Sequence, residues 1–157
     1  MSLPFGMIFS IMLIILFIII AFIAIKYFLG IQKCTKVGSF YKDLQEKVDS
    51  AFKSSGYKRT MNIDLPSGVT KICFANLSKA QIGSFKAEYE EIRRYDFYNS
   101  NTFLLPSGES CDMPHEYIEF LDLGKMTALK NPYCFPTTKD ILVEFNIYDK
   151  GVSLKEA

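Results

Sequence analysis

The chain has 157 residues, with 18 lysines and arginines against 17 acids, one histidine, four cysteines and no tryptophan. That near-neutral balance excludes the basic stripe a nucleic-acid footprint needs. None of the GxSxG, P-loop, GxGxxG or HExxH motifs occurs either. Phenylalanine and tyrosine, at 14 and 9, supply enough aromatic surface for the core of one small domain, and no low-complexity stretch points to disorder.

Residues 3–29 read LPFGMIFSIMLIILFIIIAFIAIKYFL, with no charged side chain before Lys26. Roughly 24 uncharged residues at ~1.5 Å rise cover about 36 Å, enough to cross a ~30 Å hydrocarbon core. A run that is apolar on every face belongs in lipid or in a large core, and the rest of the chain is too short to bury it. Met1 and Ser2 bear no basic side chain, and Gly30-Ile31-Gln32-Lys33 offers no small-x-small cleavage site. Residues 1–29 are therefore expected to be a retained transmembrane anchor rather than a cleaved leader. Pro4 suits the first turn, Tyr27 and Phe28 fall where an aromatic belt lies, and Lys26 can snorkel.

Residues 30–38 read as a juxtamembrane connector and 39–157 as the head domain. Ser39 is placed to cap a helix to about residue 54, with Phe40, Leu44, Val48 and Phe52 recurring every four residues and Ala51 beside them. This helix also reads as a continuation of the anchor after a kink near Gly30, and Ser54-Ser55-Gly56 ends it. Residues 57–65 alternate as a half-buried strand, Leu65-Pro66-Ser67-Gly68 fits a type I turn, and 69–77 returns, so a hairpin is expected. Ser78-Lys79-Ala80-Gln81 resembles a capping box opening a helix to about residue 98, with Ile82, Phe85, Tyr89, Ile92 and Phe97 as its stripe, the dense aromatics of 89–98 leaving a strand there as the alternative. Lys86–Glu90 and Glu90–Arg94 are its expected i,i+4 pairs.

A strand at 102–105 leads into a second LPSG turn, whose flanks do not match the first, so no duplication is inferred. Residues 109–116 read as a loop, 117–123 as a strand or short helix, 125–129 as a short piece, and 131–136 as a rigid loop. Ile141, Val143, Phe145 and Ile147 line one face of a strand at 140–148, Asp149-Lys150-Gly151 turns it, and 152–154 pairs back. The fold class is α+β: an N-terminal transmembrane helix, then a small antiparallel sheet packed with one or two amphipathic helices.

Cys34, Cys73, Cys111 and Cys134 contain no C-x-x-C pair and are expected to form two disulfides, with three pairings open. A metal set of Cys111, Asp112, His115 and Glu116 is disfavoured, because Met113-Pro114 interrupts the helix that would converge it. His115, the single histidine, reads as a solvated loop side chain, next in sequence to Ser110 and Cys111 but without a triad. Glu88, Glu90 and Glu91 read as a solvated helix face. Asn76-Leu77-Ser78 is a candidate N-glycosylation sequon, used only outside the cytoplasm. No catalytic, cofactor-binding or metal-binding residue is assigned, no cofactor is expected, and the chain is not expected to be an enzyme. Its expected partners are the lipid bilayer, other copies of the N-terminal helix and a protein of unknown identity, with no nucleic acid.

Lys26, Lys33, Lys36, Lys42 and Lys47 follow the anchor, which by the positive-inside rule favours a cytoplasmic head. The cysteines and the sequon favour the opposite side, and an extracytoplasmic head is the expectation.

The stretches SLPFGMIFSIMLIILFIIIAFIAIKYFL, FYKDLQEKVDSAF, LPSGVTKICFANL and NPYC resemble uncharacterised single-span membrane proteins of small-genome (DPANN-type) archaea. That resemblance covers most of the chain and implies a single-pass envelope location, but no activity. An apolar helix with an amphipathic continuation and a β-rich head is also similar to archaeal type IV pilin-like proteins. The pilin pattern has a basic leader with a processing site, which does not precede Leu3 here.

Overall fold

The structure, a computed structural model, describes residues 5–54, 57–146 and 151–157. Its first element, α1 (Phe5–Lys53), is one unbroken helix of 49 residues, about 74 Å long at ~1.5 Å rise per residue. Every side chain from 5 to 32 is exposed, and this stretch is long and apolar enough to cross a membrane. The helix then becomes one-sided. Val37, Phe40, Tyr41, Leu44, Val48 and Ala51 are buried, on the four-residue spacing that the sequence displays.

The expected connector at 30–38 is helical throughout, so Ser39 lies inside α1 rather than capping a new helix. Gly30 and Gly38 each cost a helix about 1 kcal/mol against alanine. Burial of Val37 and Phe40 on the next turns offsets that cost. Pro4 and the Ser55-Gly56 helix end lie outside the described residues.

The head holds two antiparallel sheets rather than one. Strands β1 (Lys58–Met61), β6 (Ile141–Asn146) and β7 (Gly151–Glu156) form the first, in the order β1-β6-β7. Strands β2 (Lys71–Phe74), β3 (Thr102–Leu105), β4 (His115–Glu116) and β5 (Tyr133–Pro136) form the second, in the order β4-β3-β2-β5. The return of 152–154 onto 141–146 is as expected, with Val143 opposite Leu154. Ile147 and the turn residues Asp149 and Lys150 lie outside the described residues.

The expected hairpin does not form. β1 pairs with β6, while β2 pairs with β3 and β5. Its run Ile72-Cys73-Phe74 is buried on both faces, which suits a central strand with two neighbours better than an edge. Ile72, Phe74, Leu104 and Phe135 face α1 and the first sheet. Cys73, Ala75, Phe103, Leu105 and Cys134 face the other way, onto Ile92.

The expected helix from 78 to 98 is also mostly absent. Residues 78–85 run as turns, α2 spans only Lys86–Ile92, and a 3-10 turn follows at Arg93–Tyr95. Ser78 bonds Asn76 and Gln81 bonds the Gly83 carbonyl, so no capping box exists. Gly83 has φ +91°, a left-handed conformation that breaks any helix there. Of the expected stripe only Ile92 is fully buried, and Phe97 is 99% exposed. Residues 117–122 form neither strand nor helix, apart from one parallel bridge between Leu121 and Val152, and Leu123 opens a helix. The short piece after them is α3 (Leu123–Met126), capped by Asp122, whose carboxylate accepts from the Lys125 N–H at 3.0 Å. β4 and β5 fall where loops were expected.

Candidate functional site

The part of the head nearest the apolar run is a collar gripping α1. A loop from Pro106 to Met113 wraps one side of the helix. Ser110 Oγ donates to the Ser107 carbonyl, the Met113 N–H to the Ser110 carbonyl, and Glu91 accepts from the Ser107 N–H at 2.7 Å. Cys111 and Asp112 adopt φ of +55° and +58°, which turns the loop tip onto the helix. There Cys34 of α1 is disulfide-bonded to Cys111, with Cα atoms 5.3 Å apart. Lys33 pairs with Glu109, and Lys36 reaches Asp64 at 2.6 Å. Both are partly solvated pairs, worth under ~1 kcal/mol each, so the covalent bridge and the buried stripe hold the collar. The two LPSG turns meet at this level, and a Cβ on Gly68 would run into the Glu109 carboxylate.

Leu29, Lys33, Pro66 and Pro106 help line a cleft of about 840 Å³ between helix and turns. Cys34 lies five positions after Leu29, about 7.5 Å along a helix. The collar therefore begins within one helical turn or two of the apolar run.

Deeper in the collar, the Tyr41 hydroxyl donates to the Met113 carbonyl at 3.1 Å. Burial, reinforced by the Glu116 carboxylate, pushes its pKa far above the ordinary tyrosine value, so it stays a neutral donor. A raised pKa means this contribution is complete below the unfolded value near 10 and is lost as pH climbs above it. Tyr41→Phe is expected to cost about 1 kcal/mol at neutral pH and to flatten the alkaline loss of stability. Urea midpoints at pH 7 and at alkaline pH check both.

The sequence candidates fall elsewhere. Cys73 and Cys134 sit directly opposite each other on β2 and β5 and are disulfide-bonded, with Cα atoms 4.1 Å apart. Among the three open pairings, the structure thus has Cys34–Cys111 and Cys73–Cys134. His115 is not a solvated loop residue. It lies on β4 with its ring 4.8 Å from Tyr95 and 4.6 Å from Tyr98, and Nδ1 is 2.8 Å from Ser100 Oγ.

Burial lowers the His115 pKa, against an opposing pull from Glu116. Its neutral form is thus favoured by the fold. That contribution is full above the unfolded value near 6.5 and declines as pH falls through the lowered value. Denaturation midpoints are expected to drop between pH 7 and 5, and His115→Phe to remove part of that drop. Among the described residues no carboxylate bonds this ring, so Ser100–His115 lacks the orienting acid of a nucleophilic triad.

Cys111 is bonded to Cys34 and the His115 ring packs tilted against Tyr95 and Tyr98, so Cys111, Asp112, His115 and Glu116 do not converge, and no metal-holding group occurs among the described residues. Glu88 is not simply solvated: its hydrogen bond from Lys71 holds its pKa below the usual range, burial opposing this only in part. Glu91 caps Ser107, and Glu90 alone of the three is exposed. The expected Lys86–Glu90 and Glu90–Arg94 pairs are absent among the described residues.

Two buried asparagines had no sequence signal. Asn101 takes both hydrogen bonds of a strand partner, donating to the Ile118 carbonyl at 2.7 Å and accepting its N–H at 2.9 Å. Asn131, 0% exposed, accepts from the Asn76 N–H at 3.0 Å and donates to the carbonyls of Asn76, Lys79 and Ala80. It is the clamp that replaces helical bonding in the 76–80 turn. Asn131→Ala strands these groups and is expected to cost roughly 2–3 kcal/mol, read as a lowered denaturation midpoint. Asn76 itself opens on a second cleft of about 420 Å³, flanked by Tyr98, Ser100 and Tyr117.

The molecule is thus an α+β head carried on a helix long and apolar enough to span a bilayer. No family model, curated protein or solved structure matches this chain.

Proposed function

We propose that the protein is a single-pass membrane protein that holds a disulfide-braced head outside the cytoplasm and acts by binding, without catalysis, as a structural or recognition element of the envelope. The observation that carries this is α1 itself: exposed and apolar through its first half, then buried in a head closed by two disulfides. Structural disulfides persist in oxidising compartments, which favours the outer side over the lysine count. A binding role is supported by how the polar groups are used. His115, Ser110, Glu88 and Glu91 all serve packing or capping bonds.

The test is maleimide labelling of intact cells with a membrane-impermeant reagent. Cys34 and Cys111 are expected to label only after an impermeant reductant. Labelling without reductant removes the disulfides from this reading, and labelling only after lysis removes the location.

A pilin-like filament subunit is the second reading. It is favoured by the unbroken passage from apolar to amphipathic helix, which leaves the first half of α1 without contacts to its own head and free to pack on other copies. Gentle detergent extraction would then give a ladder of assemblies on native gels, whereas a simple anchored head gives one band.

A further inference from the structure

We propose that Asn76 accepts an N-linked glycan whose first sugars lie in the cleft between Asn76 and the exposed rings of Phe97, Tyr98 and Tyr117. The inference rests on the extracytoplasmic head proposed above. Asn76-Leu77-Ser78 is the single N-x-Ser/Thr sequon of the chain. The fold gives Ser78 no helix to cap. Instead its N–H, at 3.1 Å, and its hydroxyl both donate to Asn76 Oδ1. The amide oxygen is thereby occupied by the hydroxyl that the sequon requires, while Nδ2 has no partner among the described residues.

Phe97 is 99% exposed, Tyr98 58% and Tyr117 45%, all three on the wall of the same cleft of about 420 Å³. Asp96, Asn99 and Ser100 line the same cleft. Flat apolar faces beside amide, hydroxyl and carboxylate groups match a pyranose, which has an apolar C–H face and a rim of hydroxyls. An exposed aromatic cluster next to a free acceptor nitrogen thus has an occupant built into the chain.

The covalent step is a group transfer with no redox change. Asn76 Nδ2 bonds to the anomeric carbon of an oligosaccharide carried on a polyprenyl phosphate or diphosphate. The bond from that carbon to the phosphate oxygen breaks, and the phosphate leaves with the electron pair. The displaced amide proton passes to a base of the membrane-bound transferase.

The full chain is translated with rough microsomes, which supply both donor and transferase. The expected result is one glycan's increase in mass, abolished by Asn76→Gln and by Ser78→Ala. A control chain carries Asn76→Gln with Ala128→Asn and Lys130→Ser, which builds a sequon in an exposed loop. If the control is modified and the native chain is not, Asn76 is not an acceptor, although the head is outside. If neither is modified, the location fails and the inference with it. In detergent, the glycosylated chain is expected to melt a few degrees above the same chain made without microsomes. That increment should vanish in Phe97→Ala/Tyr117→Ala. An unchanged increment would overturn the seating of the sugar on these rings.

Discussion

Replacing Cys73 and Cys134 together by alanine is expected to destabilise the head by about 4 kcal/mol, lowering its melting temperature by roughly 10–20 °C. The bridge closes a loop with sequence separation 61, and a loop of that length loses about this much conformational freedom when cross-linked in the unfolded chain. The residues are 0% and 6% exposed, so their sulfurs also fill the smaller core beneath Ile92. Thermal melts of the full chain in detergent, followed by circular dichroism, measure the effect. A drop of only a degree or two would mean that the bridge constrains little in the unfolded chain. The Cys34–Cys111 bridge spans 77 residues and has nearly the same entropic weight. Its loss differs in place: the half-buried Cys111 loop opens first, so limited proteolysis near 106–113 should precede global melting.

Leu44→Ala should cost about 3–5 kcal/mol. Leu44 is 0% exposed at the middle of the buried stripe of α1, in one cluster with Ile72, Ile141, Val152 and Leu154. Truncation removes apolar contact and leaves a cavity that a rigid helix packed on the first sheet cannot close by collapse. Lys47→Ala, one turn on but exposed, should change stability by less than ~0.5 kcal/mol. Urea midpoints of the two variants make the comparison. Carbonate washing should leave both in the membrane fraction, because the stripe holds the head to the helix and not the helix to lipid.

What could be read from the residues beforehand depended on periodicity. The stripe Phe40, Leu44, Val48 and Ala51 was legible because a helix repeats its neighbours locally, and so was the alternation Ile141, Val143, Phe145. The stretch 78–98 misled for the same reason. Its apolar spacing imitates a helix, but the bonds of the 76–80 turn go to Asn131, more than fifty residues away. The first of the two LPSG turns likewise looked like a hairpin tip. The observed role of the pair, meeting beside α1, requires contact between Gly68 and Glu109 that no local pattern encodes.

The candidate site divided in the same way. Four cysteines implied two bridges, yet three pairings were equivalent until β2 and β5 became neighbours and the loop tip at Cys111 reached α1. Tyr41, Asn101 and Asn131 gave no sign, since a polar side chain is recognisable as a clamp only once its distant backbone partners are placed.

By itself the sequence determined the long apolar helix, the one-sided burial of its continuation, the α+β composition and the supply of cysteines. All of these follow from side-chain polarity along a regular repeat. Only the tertiary structure decided the two-sheet arrangement, the disulfide partners, the collar on α1 and the aromatic cleft beside Asn76. Those depend on which remote segments share a core, and that choice is made by the summed packing of the whole head.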